Sequence, residues 1–153
     1  MTHDYAILDV FTEVPLEGNP VAVFTDAADL ETEQMQRGAR ELNLSETVFL
    51  TATGPRQAEV RIFTPALELP FAGHPVLGAA ALLACQHNPA DGPGEERRLT
   101  IHTGAGPVPV AVRTGPDGAS FGEMEQPVPE VAPYARAAEL LAALGLKDAT
   151  HLN

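Results

Sequence analysis

The sequence has few of the residues that build redox or metal chemistry. It contains one cysteine, Cys85, and no tryptophan among 153 residues. A single cysteine excludes an internal disulfide and any mechanism that needs two thiols within the chain. Because Cys85 stands among alanines and leucines, we expect it to be buried rather than reactive. The five histidines are scattered without the spacing of metal ligands, so we expect no metal site.

Basic residues are also scarce. Nine lysines and arginines stand against 21 acidic residues, which gives a formal net charge of -12. This charge would repel nucleic acid and anionic membranes. No stretch approaches the roughly 18 apolar residues of a membrane span, and the first residues do not resemble a secretion signal. We therefore expect a cytoplasmic protein whose partner is a small molecule or another protein.

The apolar residues, 44% of the chain, are enough for a globular core, and their pattern alternates between strand and helix periods. Pro107 and Pro109 cannot donate to a strand ladder, which predicts an edge or a bulge there. Gly38 weakens its predicted helix by up to about 1 kcal/mol relative to alanine. The pattern predicts strands at 4–11, 21–25, 47–51 and 58–64, a meander at 99–103, 108–112 and 119–125, and helices at 31–42, 75–86 and 135–144.

The segment Gly73-His74-Pro75 joins an extended, proline-broken stretch to an Ala/Leu helix. Pro75 suits the first helical turn, where free N–H groups and the helix dipole favour a carboxylate. Gly73 lets a ligand approach the backbone closely. His74 stands at this position and can bind an anion or move a proton. The same three residues are equally compatible with a purely structural turn.

Two further polar residues lie at predicted junctions. Asn19 is held between Gly18 and Pro20, and Pro20 forces the backbone of Asn19 toward an extended conformation. Glu46 follows the predicted helix and precedes the strand at 47–51, where two rigid elements can aim a side chain into a cleft. Position alone also allows a turn-forming asparagine and a solvated glutamate, so both alternatives stay open.

Four motifs, taken together and in order, are similar to the N-terminal half of the phenazine biosynthesis PhzF-like isomerases. They are Asp9-Val-Phe, Gly18-Asn-Pro-Val-Ala-Val23, Glu41-Leu-Asn-Leu-Ser-Glu-Thr-Val-Phe49 and the segment from Phe63-Thr-Pro to Phe71-Ala-Gly-His-Pro75. The resemblance implies an α+β, diaminopimelate-epimerase-like lobe, in which a curled, mostly antiparallel sheet surrounds a central helix. Related thiol racemases carry a cysteine where this chain has Ala72, which agrees with the PhzF-like branch.

The resemblance also implies roles for the residues at the motifs. Glu46 matches the glutamate that carries the proton, and His74 matches the histidine that helps to orient the substrate. Gly73 and Pro75 belong to the helix start that would bind the substrate carboxylate. Asn19 matches an asparagine near the cleft and is assigned to substrate binding. The implied reaction is a double-bond shift on a small unsaturated carboxylate, without a cofactor.

The same resemblance predicts a domain division. Residues 1–130 would form the N-terminal lobe, and residues 131–153 a connector helix and the start of a second lobe that is otherwise absent. A second-lobe chain, a truncation or a homodimer would each account for this, and the substrate stays open. The alternative function is a non-catalytic binding or regulatory lobe that pairs with a partner.

Overall fold

The described residues form one sheet of eight strands and three helices. The computed structural model describes residues 2–86, 96–115, 119–126, 128–129 and 131–147. The helices are α1 (Thr32–Leu42), α2 (Gly73–Gln86) and α3 (Ala137–Ala143). The strands are β1 (Tyr5–Val10), β2 (Asn19–Phe24), β3 (Glu46–Gly54), β4 (Gln57–Phe63), β5 (Glu68–Leu69), β6 (Glu96–Thr103), β7 (Gly106–Thr114) and β8 (Ser120–Met124).

The sheet is mixed, mostly antiparallel and curled. Its order is β1-β2-β3-β4-β6-β7-β8, and β5 pairs with β4 beside β6. The β2–β3 and β4–β6 pairs are parallel, and the other pairs are antiparallel. Helix α2 contacts β1 and β8, the strands at the two ends of this order. The sheet must therefore wrap around α2, as expected for a diaminopimelate-epimerase-like lobe.

The main core fills the space between α2 and the inner face of the sheet. The small residues of α2 let its backbone approach the strands closely. A Cβ added to Gly78 would lie 2.6 Å from Val21 Cγ1, so α2 sits almost directly on β2. The strands contribute alternate apolar residues, such as Val108, Val110 and Val112 of β7, all at most 2% exposed. Together they bury α2 as the central helix.

A smaller core lies on the outer face of the sheet, beneath α1. Met35 and Ala39 of α1 pack with Ala27, Phe49 and Phe63. Phe49 stacks on Phe24 at 4.7 Å between ring centroids and meets Phe63 edge-on at 5.5 Å. Helix α1 thus covers the middle of the outer face, whereas Tyr5 and Ile7 of the edge strand β1 stay exposed.

The predicted elements are confirmed, with differences at their ends. Helix α2 begins at Gly73, two residues before the predicted start, and Glu46 is the first residue of β3 rather than part of a bend. Pro107 lies on β7 before the residues that pair with β8, so this end of β7 is a local edge of the sheet. Residues 88–96 have the polar, Pro/Gly-bearing composition that predicts a loop, but Glu96 is the first residue of β6. The rest of that loop lies outside the described residues, as do residues 87, 116–118, 127, 130 and 148–153.

The prediction for Cys85 is wrong. Cys85 is exposed, and its Sγ lies 3.5 Å from Ser120 Oγ. Helix α2 buries Leu83 and Ala84 against the sheet, and a residue one step along is rotated by about 100° from that face. The sequence pattern did not reveal this because the whole helix is apolar.

Helix α3 is short, and none of its residues is buried. Leu140, a leucine in the middle of this helix, is 37% exposed. No helix among the described residues is long and apolar enough to cross a membrane.

Candidate active site

Three of the elements begin at the same edge of the sheet. Asn19 is the first residue of β2, Glu46 is the first of β3, and His74 is the second of α2. Because β2 and β3 run parallel, with Val21 opposite Glu46, their amino ends lie side by side. The close packing of Gly78 on Val21 places the start of α2 beside them. The three predicted polar residues are thereby brought together.

Glu46 and His74 face each other in a mostly buried position. His74 Nε2 lies 3.5 Å from Glu46 Oε2, and the two side chains are 9% and 19% exposed. Neither of these two atoms has a hydrogen-bond partner in the described part of the chain. Buried polar atoms are usually satisfied, so an unsatisfied facing pair is the kind of feature found at reactive sites.

The imidazole of His74 is held toward its neutral form. Burial lowers the pKa of His74 below its ordinary value, because desolvation penalises the charged ring. The carboxylate of Glu46 acts in the opposite direction and offsets part of this effect. A neutral imidazole can donate one proton and accept another, which a charged ring cannot.

The other ring nitrogen of His74 faces Asn19. Asn19 Nδ2 lies 3.3 Å from His74 Nδ1. The Ser45 hydroxyl donates to Asn19 Oδ1 at 3.1 Å. The imidazole is therefore flanked on one side by an amide that is itself held in place, and on the other by a carboxylate.

Phe11 forms one wall of the site. Its ring centroid lies 6.4 Å from that of His74, and it is 74% exposed. Phe11 has φ 66° and Leu16 has φ 70°, an unusual left-handed conformation for bulky residues. The Leu16 N–H donates to the carboxylate of Asp9, which ties this loop to β1. Such strained backbone is often found beside functional sites.

The first turn of α2 supplies free donors at the same place. The amides of Gly73 and His74 have no acceptor among the described residues. Gly73 lacks a side chain where an added Cβ would lie 3.0 Å from Met124 Cε. Unpaired amides at the positive end of a 14-residue helix suit a carboxylate. In the described ranges, no three His, Cys, Asp or Glu side chains converge to hold a metal.

Residue-level reasoning from the sequence missed Ser45 and Phe11 as parts of this site. Both lie inside the motifs that carry the resemblance, but neither carries a charge or a special spacing. Glu68 also lies in a matched segment, but its carboxylate accepts two hydrogen bonds from the Arg61 guanidinium, each at 2.7 Å. A cavity of about 620 Å³ lies there and contains neither Glu46 nor His74. The predicted site residues do lie together at the start of α2: Asn19, Glu46, Gly73, His74 and Pro75.

Comparison with known proteins shows the family of this chain. The model of the family described as phenazine biosynthesis-like protein matches residues 8–153. Two similar proteins, from Pseudomonas aeruginosa and Pseudomonas fluorescens, are named trans-2,3-dihydro-3-hydroxyanthranilate isomerase. They are 47% and 46% identical over 97% of this chain. The chain covers 51% of each, so it spans about half the length of these relatives.

A solved structure supports the same relationship. The phenazine biosynthesis protein of the PhzF family from Bacillus anthracis superposes with a TM-score of 0.73 and is 31% identical. The match covers 95% of this chain and 48% of that one. With a family match over nearly the whole chain, relatives at this identity and the same curled sheet around a central helix, the chain belongs to the phenazine biosynthesis-like, PhzF-type protein family.

Proposed function

We propose that this chain is the proton-transferring lobe of a cofactor-independent isomerase. The observation that carries the proposal is the mostly buried pair of Glu46 Oε2 and His74 Nε2, 3.5 Å apart at the start of α2. Neither atom has a hydrogen-bond partner among the residues that the structure describes. A carboxylate, an imidazole and free helix amides at one place provide a base, a donor and an anion site.

In the proposed reaction, Glu46 takes a proton from a carbon of the substrate and returns it to another carbon of the same conjugated system. The electron pair of the broken C–H bond forms the new double bond, and the old double bond accepts the returning proton. No atom is gained or lost, so the product is an isomer. Glu46 suits this role because it is only 19% exposed and has no competing hydrogen bond at Oε2 within the described residues.

The remaining groups would bind and orient the substrate. The amides of Gly73 and His74 would receive its carboxylate, and Pro75 fixes the helical turn that presents them. Neutral His74 would hold the reacting part of the substrate against Glu46. Phe11, which is mostly exposed, would pack against the conjugated part of the substrate. Asn19 is proposed to contribute to substrate binding on the side of the site where it contacts His74.

The names of two relatives support a proposal for the substrate class. The proteins from the two Pseudomonas species are named for a dihydro-hydroxyanthranilate, which is a small, unsaturated carboxylate. We propose a substrate of that chemical class for this chain. Because the chain spans about half of those relatives, the opposite wall of the cleft is proposed to come from a second lobe or a partner chain.

The proposal is tested by isotope exchange in D₂O with the complete two-lobe enzyme. Glu46→Gln should reduce turnover by about 100- to 10,000-fold and abolish the incorporation of solvent deuterium, because general base catalysis is lost. Glu41→Gln is the matched control, since it removes an exposed carboxylate from α1 and should leave turnover unchanged. Unchanged turnover in Glu46→Gln would show that another group carries the proton.

The alternative, a non-catalytic binding or regulatory lobe, is favoured by one observation: the chain spans only half of the catalytic relatives. The same experiment separates the two functions. Carboxylate binding without any deuterium exchange in the wild-type, two-lobe protein would support the regulatory alternative.

A further inference from the structure

Asn19 contacts the side of His74 that faces away from Glu46, and Ser45 in turn contacts Asn19. Asn19 Nδ2 lies 3.3 Å from His74 Nδ1, and Ser45 donates to Asn19 Oδ1 at 3.1 Å. The imidazole itself is only 9% exposed, so water has little access to either ring nitrogen. The hydrogen bonds of these two neighbours therefore decide which nitrogen carries the proton.

In the observed arrangement, only one assignment of donors and acceptors fits the side chains of Ser45, Asn19 and His74. An amide nitrogen can only donate, so Nδ2 of Asn19 requires Nδ1 of His74 to be an acceptor. In this arrangement the Ser45 hydroxyl donates to Oδ1, so both polar atoms of the Asn19 amide are engaged. A neutral imidazole with an accepting Nδ1 must carry its proton on Nε2.

The position of Glu46 points to the same proton arrangement independently. His74 Nε2 lies 3.5 Å from Glu46 Oε2. A proton on Nε2 faces the carboxylate favourably, whereas a bare Nε2 would set its lone pair against those of the carboxylate. Both sides of the ring thus favour the same tautomer.

We propose that Asn19 and Ser45 are positioning residues that hold His74 in its Nε2–H tautomer. His74 then presents a proton, rather than a lone pair, to the space beside Glu46. This division of roles leaves Glu46 as the base and His74 as the hydrogen-bond donor to developing negative charge on the substrate. The inference deepens the proposed function. The tautomer is argued from contacts alone, and only its role in catalysis rests on the proposed function.

The test is the ¹⁵N NMR spectrum of the imidazole rings of this chain, recorded above the titration of His74. His74→Gln assigns the His74 signals by their disappearance. We expect Nε2 to be protonated and Nδ1 to be unprotonated in the wild type. Asn19→Asp should raise the fraction of rings protonated on Nδ1, because a carboxylate can only accept and then competes with Glu46 for the ring proton.

Ser45→Ala supplies a second variant, in case Asn19→Asp does not fold. Ser45 is exposed, so its loss should leave the fold intact while freeing the amide of Asn19 to turn. We expect a measurable fraction of the Nδ1–H form in this variant. Ser120→Ala, which removes a hydroxyl on β8 that contacts Thr114 and Cys85, is the control and should leave the His74 signals unchanged.

A wild-type ring protonated on Nδ1, or an unaltered tautomer in Asn19→Asp and Ser45→Ala, would overturn the inference. These measurements need no substrate. If Glu46→Gln stayed active while the NMR results came out as expected, the proposed proton carrier would be wrong and the positioning role would still hold.

Discussion

His74 is the residue whose protonation links the fold to the chemistry of the site. Its ring is nearly buried between Glu46 and Asn19 at the start of α2. Burial lowers its pKa, and Glu46 offsets part of the decrease. The folded protein therefore keeps a neutral imidazole to a lower pH than the unfolded chain does.

This difference predicts how stability depends on pH. The unfolded chain protonates His74 near pH 6.5, and the folded chain does so at lower pH. Between the two pKa values the unfolded state binds more protons. The stability that the neutral ring contributes is complete above about pH 6.5 and is lost as the pH falls through this window. Urea unfolding across it should show a steeper loss for the wild type than for His74→Gln, and equal slopes would contradict the prediction.

The two main helices depend on the sheet in different ways. Helix α1 covers the outer face, and Gly38 on it lies over the ring of Phe49. An added Cβ there would make an ordinary van der Waals contact, 3.6 Å from Phe49 Cζ. Helix α2 lies inside the curled sheet, where an added Cβ on Gly78 would be 2.6 Å from Val21 Cγ1. Gly38 and Gly78 both lie in helix interiors, and only their surroundings tell them apart.

Alanine at these two glycines should therefore have opposite effects on stability. Gly38→Ala removes a flexible residue from a helix without a clash, so it should raise the free energy of unfolding by up to about 1 kcal/mol. Gly78→Ala forces a methyl group into close-packed core and should lower that free energy by about 1–3 kcal/mol. Chemical denaturation of both variants measures the difference. A loss of stability in Gly38→Ala would mean that α1 packs on Phe49 more closely than described and leaves no space for the methyl group.

At the scale of the whole molecule, the site lies at an open edge of the lobe. Phe11 and Leu16 beside it are 74% and 93% exposed, and the leucines of α3 are only partly covered. The relatives are about twice as long as this chain, which is the reason to propose an opposing lobe or partner. Apolar residues at the rim of a site are suited to such contact.

We expect turnover to depend on that opposing part. Adding the second half of a two-lobe relative to this chain should raise isomerisation from background to a level that saturates with the added half. The rate is measured with a small unsaturated carboxylate in D₂O. Turnover by this chain alone that rises with the square of its concentration would instead show that two copies form the cleft.

Much of this lobe follows from local sequence. Strand and helix patterns predicted nearly every element, since β-formers at alternate positions and an apolar helix bounded by Gly73 and Pro75 have few other solutions. The resemblance identified Glu46 and His74 as candidates because their motifs occur in the expected order. The elements and the candidate residues were therefore accessible from the sequence.

Only the tertiary structure decided how these parts meet. β2 pairs in parallel with β3, and Gly78 packs closely on Val21. These two contacts bring Asn19, Glu46 and His74 together across 55 residues of sequence. The exposure of Cys85 and the contact of Ser45 with Asn19 arise in the same way. Periodicity describes which residues are apolar, but the curl of the sheet around α2 determines what each side chain faces.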